Sequence, residues 1–171
     1  MCPDSIEATL SAFLDEATRV AVLGIGNDLR TDDGVGLFIV EHLGIDNPCA
    51  LVKNVGSVPE AFTSSLTDFG AERVILVDAA DMRKHPGHVE LITRERIGGM
   101  AISTHGMPLS LLMMYLEQET GAKTVLLGIQ PQSIAFGEGL TPPVQVAAEN
   151  LIKLLERILS HHLEDKTCLG Q

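Results

Sequence analysis

Residues 23–36 read LGIGNDLRTDDGVG and give the first indication of the fold. The residues before and into this stretch, RVAVLGIGN, form an apolar run that is typical of a strand buried on both faces of a parallel sheet. The glycine turn leads to residues 34–43, which we predict to be helical, with Asp32 and Asp33 just before them. A strand, a glycine turn and a helix in this order indicate an α/β protein.

The rest of the chain alternates between predicted helices and predicted strands. The further strands are residues 50–56, 73–80, 89–93 and 123–131. The predicted helices are residues 4–18, 34–43, 59–69, 103–120 and 143–163. The fourth of these is predicted to begin near Ser103 or Thr104. We therefore predict one domain, a three-layer α/β/α sandwich around a five-stranded sheet.

The connection after the third predicted strand is unusually short. Residues 81–87, DMRKHPG, contain a Pro-Gly turn, whereas a parallel crossover needs about a dozen residues or more. We therefore predict that Val89–Thr93 runs antiparallel to the other strands, so that the sheet is mixed.

The composition limits the classes of function. The chain has 171 residues, a net charge of −11 and 45% hydrophobic residues, so a folded acidic domain is expected. That charge disfavours binding to nucleic acid and to anionic membranes. No apolar run reaches the roughly 18 residues of a membrane helix, and residues 1–10 lack the basic start of a signal peptide. We expect a cytoplasmic protein.

The three cysteines, Cys2, Cys49 and Cys168, are scattered along the chain. Their odd number and spacing argue against a disulfide framework and against a cysteine metal site. We expect a buried Cys49 and two terminal thiols.

The glycine turn does not fit a dinucleotide site well. Leu29 stands where the third glycine of the fingerprint belongs, and no acid follows the second strand until Glu60. Two further aspartates would repel a pyrophosphate. The simpler interpretation is that Gly24 and Gly26 allow a helix to approach the strand closely.

Three polar features fall where the carboxyl ends of parallel strands should meet. Asp32 and Asp33 follow the first strand, Asp78 ends the third, and His105 begins the helix before the last strand. Asp32 and Asp33 also suit helix capping, but only one acid is needed as a cap. Two carboxylates and one imidazole form a ligand set that suits a divalent transition metal. Asp78, at the end of an apolar run, needs a partner or a metal to offset its desolvation.

Four motifs in this order resemble the maturation endopeptidases of NiFe hydrogenases: GIGNDLRTDDGVG, ILVDAADM, STHGMPLSLLMMYL and LLGIQPQSIAFGEGLTPPV. The resemblance covers about residues 19–160. It implies a phosphorylase/hydrolase-like five-stranded sandwich with one antiparallel strand. It also implies an enzyme that removes the C-terminal extension of the hydrogenase large-subunit precursor after nickel insertion.

The resemblance further implies that Asp33, Asp78 and His105 are the metal-binding and catalytic residues. The implied metal is Ni²⁺ supplied by the substrate precursor, and other divalent metals can substitute in the site. Whether an aspartate or a metal-bound water drives hydrolysis stays open. Because neutral His105 and ionised carboxylates are required, activity should fall on acidification.

The resemblance also divides the chain. It makes residues 1–17 an N-terminal helical extension and residues 18–163 the protease domain, and we expect residues 164–171 to fray. The partner is the large-subunit precursor, and a monomer is favoured. The alternatives are a non-catalytic nickel-precursor chaperone, a metallohydrolase with its own permanent metal, and a nucleotide-binding Rossmann-like protein.

Overall fold

The computed structural model describes residues 3–97 and 108–168 and contains a five-stranded sheet between two layers of helices. The strands are β1 (Val20–Ile25), β2 (Ala50–Gly56), β3 (Arg73–Ala79), β4 (Val89–Ile92) and β5 (Lys123–Ile129). The helices are α1 (Pro3–Leu14), α2 (Val35–His42), α3 (Thr63–Phe69), α4 (Arg94–Ile97), α5 (Leu109–Thr120) and α6 (Pro142–Leu163). Short 3-10 helices, Thr31–Gly34 and Pro59–Phe62, lead into α2 and α3.

The strand order is β2-β1-β3-β5-β4, and the first four strands in this order are parallel to one another. β4 is antiparallel to β5, with Val89 opposite Ile129 and Ile92 opposite Leu126. The predicted mixed sheet is therefore confirmed. The physical reason is the one given above: the link between β3 and β4 is too short to return the chain to the opposite end of the sheet.

The period-two alternation of the strands divides the core between the two faces of the sheet. Val20 and Val22 of β1 pack in the cluster that contains α1, α2 and α6. Ala21 and Leu23 pack in the cluster that contains α3 and α5. All four are fully buried, which explains why β1 reads as a continuous apolar run.

The predicted helices are found with adjusted ends. α3 stops at Gly70, whose φ of 70° forms the left-handed cap that terminates the helix. α5 is described from Leu109, and the predicted start near Ser103 or Thr104 lies outside the described residues. α6 has 22 residues, but no helix in the described ranges is long and apolar enough to span a membrane.

The expectation of free thiols is wrong for two of the cysteines. Cys49 is buried as expected but forms a disulfide with Cys168, and their Cα atoms are 5.3 Å apart. α6 ends beside the start of β2, where the Nδ2 of Asn47 donates to the carbonyl of Leu163 at 3.4 Å. The tail then brings Cys168 to Cys49. Spacing could not reveal this pair because 119 residues separate the two cysteines.

A contact between backbones positions α2 at the ends of β1 and β3. A Cβ added to Gly36 of α2 would lie closer than 3.0 Å to the carbonyl oxygens of Ile25 and Val77. A Cβ added to Gly24 of β1 would clash in the same way with the carbonyl of Gly36. The first turn of α2 therefore rests directly on β1 and β3, and this fixes where the residues just before it must lie.

Replacing Gly36 tests this contact. Helix propensity alone predicts that Gly36→Ala stabilises the protein by about 1 kcal/mol. The contact predicts the opposite, a loss of about 3 kcal/mol of unfolding free energy, because backbone atoms cannot move aside. Gly44→Ala is the control, since its added Cβ meets only the carboxylate end of Glu156 and should change stability by less than about 1 kcal/mol. Urea denaturation distinguishes the two, and equal stability of both variants would contradict the packing argument.

Candidate active site at the carboxyl edge of the sheet

The glycine contact brings two of the predicted acids to one edge of the sheet. Asp33 lies in the 3-10 helix Thr31–Gly34, which packs against β3, and Asp78 is the penultimate residue of β3. Asp33 is three residues before Gly36, and Asp78 directly follows Val77, one of the two strand residues that Gly36 touches. The structure therefore places Asp33 and Asp78 at the edge where β1 and β3 end, called the carboxyl edge below. His105 lies outside the described residues.

Both acids are buried at this edge. Asp33 is 3% exposed and Asp78 is 0% exposed. The Oδ1 atom of Asp33 and both carboxylate oxygens of Asp78 are shielded from solvent. Burial of an ionised carboxylate costs free energy unless a partner compensates for it. Carboxylate oxygens are also common ligands of divalent cations, so their chemistry fits a metal.

The described residues do not complete a metal site by themselves. Within residues 3–97 and 108–168, no group of three His, Cys, Asp or Glu residues could hold a metal ion. Asp33 and Asp78 are the two predicted ligands that the described ranges contain. A metal at this edge therefore needs further ligands from elsewhere.

Asp32 has a different role from its neighbour. Its carboxylate accepts four hydrogen bonds: from the backbone N–H groups of Gln132 (2.8 Å), Ser133 (3.0 Å) and Thr141 (2.7 Å) and from the Thr141 hydroxyl (2.9 Å). It is 0% exposed. Through these hydrogen bonds Asp32 holds the loop between β5 and α6 against the turn that carries Asp33.

Both acids lie in the first turn of the 3-10 helix that leads into α2, as expected for acids at a helix start, but neither occupies an N-cap position. Neither the 3-10 helix Thr31–Gly34 nor α2 has a side-chain hydrogen bond at its N-cap. Thr141, the N-cap of α6, makes none to its own helix either and donates its hydroxyl to Asp32. Capping statistics could not anticipate this, because the donors to Asp32 lie about a hundred residues further along the chain.

Further bonds join the same two loops. The N–H of Thr31 donates to the carbonyl of Gly137 at 2.9 Å, and its hydroxyl donates to the carbonyl of Ser133 at 2.6 Å. Thr31 is held at a φ of 43°, in the left-handed region that a β-branched residue rarely adopts. The strain at Thr31 is offset by these bonds, which supports a single rigid unit made of both loops.

Gln130 is a positioning residue that the sequence reasoning did not identify. It directly follows β5, is 7% exposed, and its Oε1 accepts the N–H groups of Met82 (2.7 Å) and Lys84 (3.1 Å). These bonds hold the loop that leaves Asp78. One feature of the sequence could have identified it: a polar side chain stands at the end of the apolar run LLGIQP, and a buried amide needs hydrogen-bond partners.

Replacing Asp32 tests its structural role. Asp32→Asn keeps the shape but directs an amide N–H₂ toward backbone donors, so we expect a loss of about 3 kcal/mol of unfolding free energy. Thr141→Val is the matched control, because it removes only one of the four bonds and should cost about 1 kcal/mol. Hydrogen exchange of the amides of residues 132, 133 and 141 should accelerate in Asp32→Asn. If Asp32→Asn costs no more than Thr141→Val, the carboxylate does not hold the loop.

Comparison with known proteins supports a family assignment. The family model described as hydrogenase maturation protease, HycI, matches residues 42–158. A putative hydrogenase maturation protease of Methanocaldococcus jannaschii is 32% identical over 155 residues, which cover 85% of this chain and 91% of that protein. The hydrogenase 3 maturation protease of Escherichia coli K12 is 32% identical over 143 residues, covering 79% of this chain and 87% of that protein.

A solved structure agrees with the sequence comparisons. The crystal structure of a NiFe hydrogenase maturation protease, HycI, from Thermococcus kodakarensis superposes with a TM-score of 0.81 at 32% identity. The superposition covers 89% of this chain and 99% of that protein. With the sheet topology and these likenesses in agreement, the chain belongs to the hydrogenase maturation protease family, a family of hydrolases.

Proposed function

We propose that this protein is the endopeptidase that removes the C-terminal extension of a nickel-loaded NiFe-hydrogenase large-subunit precursor. The observation that carries the proposal is the burial of Asp33 and Asp78 at the carboxyl edge. Family membership indicates the class of reaction, and these two acids indicate the part of the molecule where we propose that it takes place. The E. coli and Thermococcus relatives bear the names of hydrogenase maturation proteases, which supports the same kind of partner here.

The nickel is cargo of the substrate in this proposal. Two carboxylates with few other donors make a poor cage for a free ion, because stable protein sites for such metals use more ligands. The same two carboxylates can complete the coordination of an ion that the precursor already holds. His105 is the predicted third donor, and other divalent metals can substitute in the site. Cleavage then depends on metal insertion, because nickel-free precursor lacks the group that Asp33 and Asp78 recognise.

Peptide hydrolysis also needs a base. Water adds to the scissile carbonyl carbon, the carbon–nitrogen bond breaks, and the departing amine takes up a proton. An aspartate at the carboxyl edge can accept the proton from water, as in aspartic-type proteolysis. The two roles differ kinetically: loss of a docking ligand weakens binding of the nickel-loaded precursor, whereas loss of the base lowers kcat.

Processing of the precursor tests the proposal. The wild-type protein should shorten nickel-loaded precursor, as read by intact-mass spectrometry, and leave nickel-free precursor unchanged. Asp33→Asn and Asp78→Asn should each lower kcat/KM by at least about a hundredfold, the range typical of a lost catalytic carboxylate. Asp68→Asn is the matched control, because Asp68 is an exposed acid near the C-terminal end of α3, at the opposite end of the sheet, and should process at the wild-type rate.

Other outcomes separate the alternatives. Binding of nickel-loaded precursor with no change in its mass would favour the chaperone. Stoichiometric metal in the purified protein, together with cleavage of nickel-free precursor, would favour a permanent metal centre. If Asp33→Asn processed the precursor at the wild-type rate at both limiting and saturating precursor concentrations, Asp33 would have no role in docking or in catalysis.

A further inference from the structure

Three exposed apolar side chains stand on the loops of the carboxyl edge. Leu29 is 59% exposed, Ile134 is 38% exposed and Phe136 is 85% exposed. Single exposed apolar residues are ordinary, but a group of large ones on adjoining loops marks an interaction surface. We refer to Leu29, Ile134 and Phe136 as the edge patch.

The two loops that carry the edge patch are bonded to each other. The N–H of Gly137 donates to the carbonyl of Leu29 at 3.0 Å, and the Nε of Arg30 donates to the carbonyl of Ile134 at 3.1 Å. The guanidinium carbon of Arg30 lies 5.6 Å from the centre of the Phe136 ring, within the range of a cation–π contact. The two hydrogen bonds fix the backbone on either side of Phe136, so the loops lose little backbone freedom on binding, while most of the Phe136 ring stays exposed.

The edge patch adjoins the candidate active site. The N–H of Asp33 donates to the carbonyl of Arg30 at 3.0 Å, so Asp33 belongs to the same turn as Leu29. On the other loop, Asp32 holds the backbone of Ser133, the residue directly before Ile134. A protein that presents a peptide bond to Asp33 therefore comes close to the edge patch.

We propose that the edge patch is the docking surface for the folded precursor, where it covers an apolar area beside the scissile segment. This inference rests on the proposed function for the identity of the partner. Its continuity with Asp33 favours the precursor over a second copy of this chain, because a dimer formed through the patch would cover the edge that substrate must reach. Docking here contributes affinity, while Asp33 and Asp78 recognise the metal.

The test uses Leu29→Ser, Phe136→Ser and the double variant, with Val146→Ser as the matched control. Val146 is 57% exposed and lies on α6, outside the edge patch. Direct binding of nickel-loaded precursor is measured by biolayer interferometry, and KM and kcat for processing are measured by mass spectrometry. Losing two well-placed apolar anchors should raise Kd and KM about tenfold or more and change kcat less than about twofold. The melting temperatures of all variants should match that of the wild type. Val146→Ser should also keep the wild-type Kd, KM and kcat.

The outcomes for this proposal and for the proposed function can be told apart. Processing by the wild type with unchanged Kd and KM in the double variant overturns the edge patch alone. Binding that depends on the patch without any processing overturns the endopeptidase assignment alone. Sedimentation adds a further arm: a dimer that dissociates in Phe136→Ser, with precursor binding unchanged, would assign the patch to self-association and overturn the proposal. If Val146→Ser weakened precursor binding as much as the edge-patch variants, the effect would not be specific to the patch, and the proposal would also be overturned.

Discussion

The contact between the glycine backbones of β1 and α2 is the constraint on which the rest of the site depends. With no side chain at Gly24 or Gly36, the first turn of α2 rests on the carbonyl groups of Ile25 and Val77. The residues just before α2 are thereby held against the end of β3. A glycine turn of this kind could approach a bound anion. Here the close approach is made to the sheet itself, and the turn presents acids to the edge.

Two neighbouring aspartates divide the work at that edge. The carboxylate of Asp32 is occupied by four hydrogen bonds from the loop between β5 and α6, so it serves as a structural anchor. Asp33 lies one residue further, buried in the 3-10 helix that packs against β3, the strand that carries Asp78. The anchor makes two loops one unit, and that unit supplies both an acid and the exposed apolar side chains around it. Rigidity at the site thus comes from a residue that need not touch the substrate.

The sequence was sufficient for the parts of the fold that depend on local pattern and chain length. Apolar runs located the strands, and the short link after β3 required β4 to be antiparallel. The position of Asp33 and Asp78 at one edge followed from the rule that parallel strands end together. Long-range pairings were out of reach: neither the donors to Asp32 nor the disulfide partner of Cys49 is encoded by spacing. Propensity placed both aspartates at a helix start, where they lie, but it could not reveal that the carboxylate of Asp32 accepts its hydrogen bonds from a distant loop.

We propose that the buried acids at the carboxyl edge bind the metal carried by the substrate. Nickel X-ray absorption of nickel-loaded precursor, alone and freeze-quenched with an equimolar amount of this protein, tests it most directly. We expect the complex to gain light-atom ligands on nickel, and we expect the double variant Asp33→Ala, Asp78→Ala to abolish the gain while the precursor still binds. A nickel spectrum in the complex identical to that of the precursor alone, under conditions in which wild-type protein binds and cleaves, would contradict it.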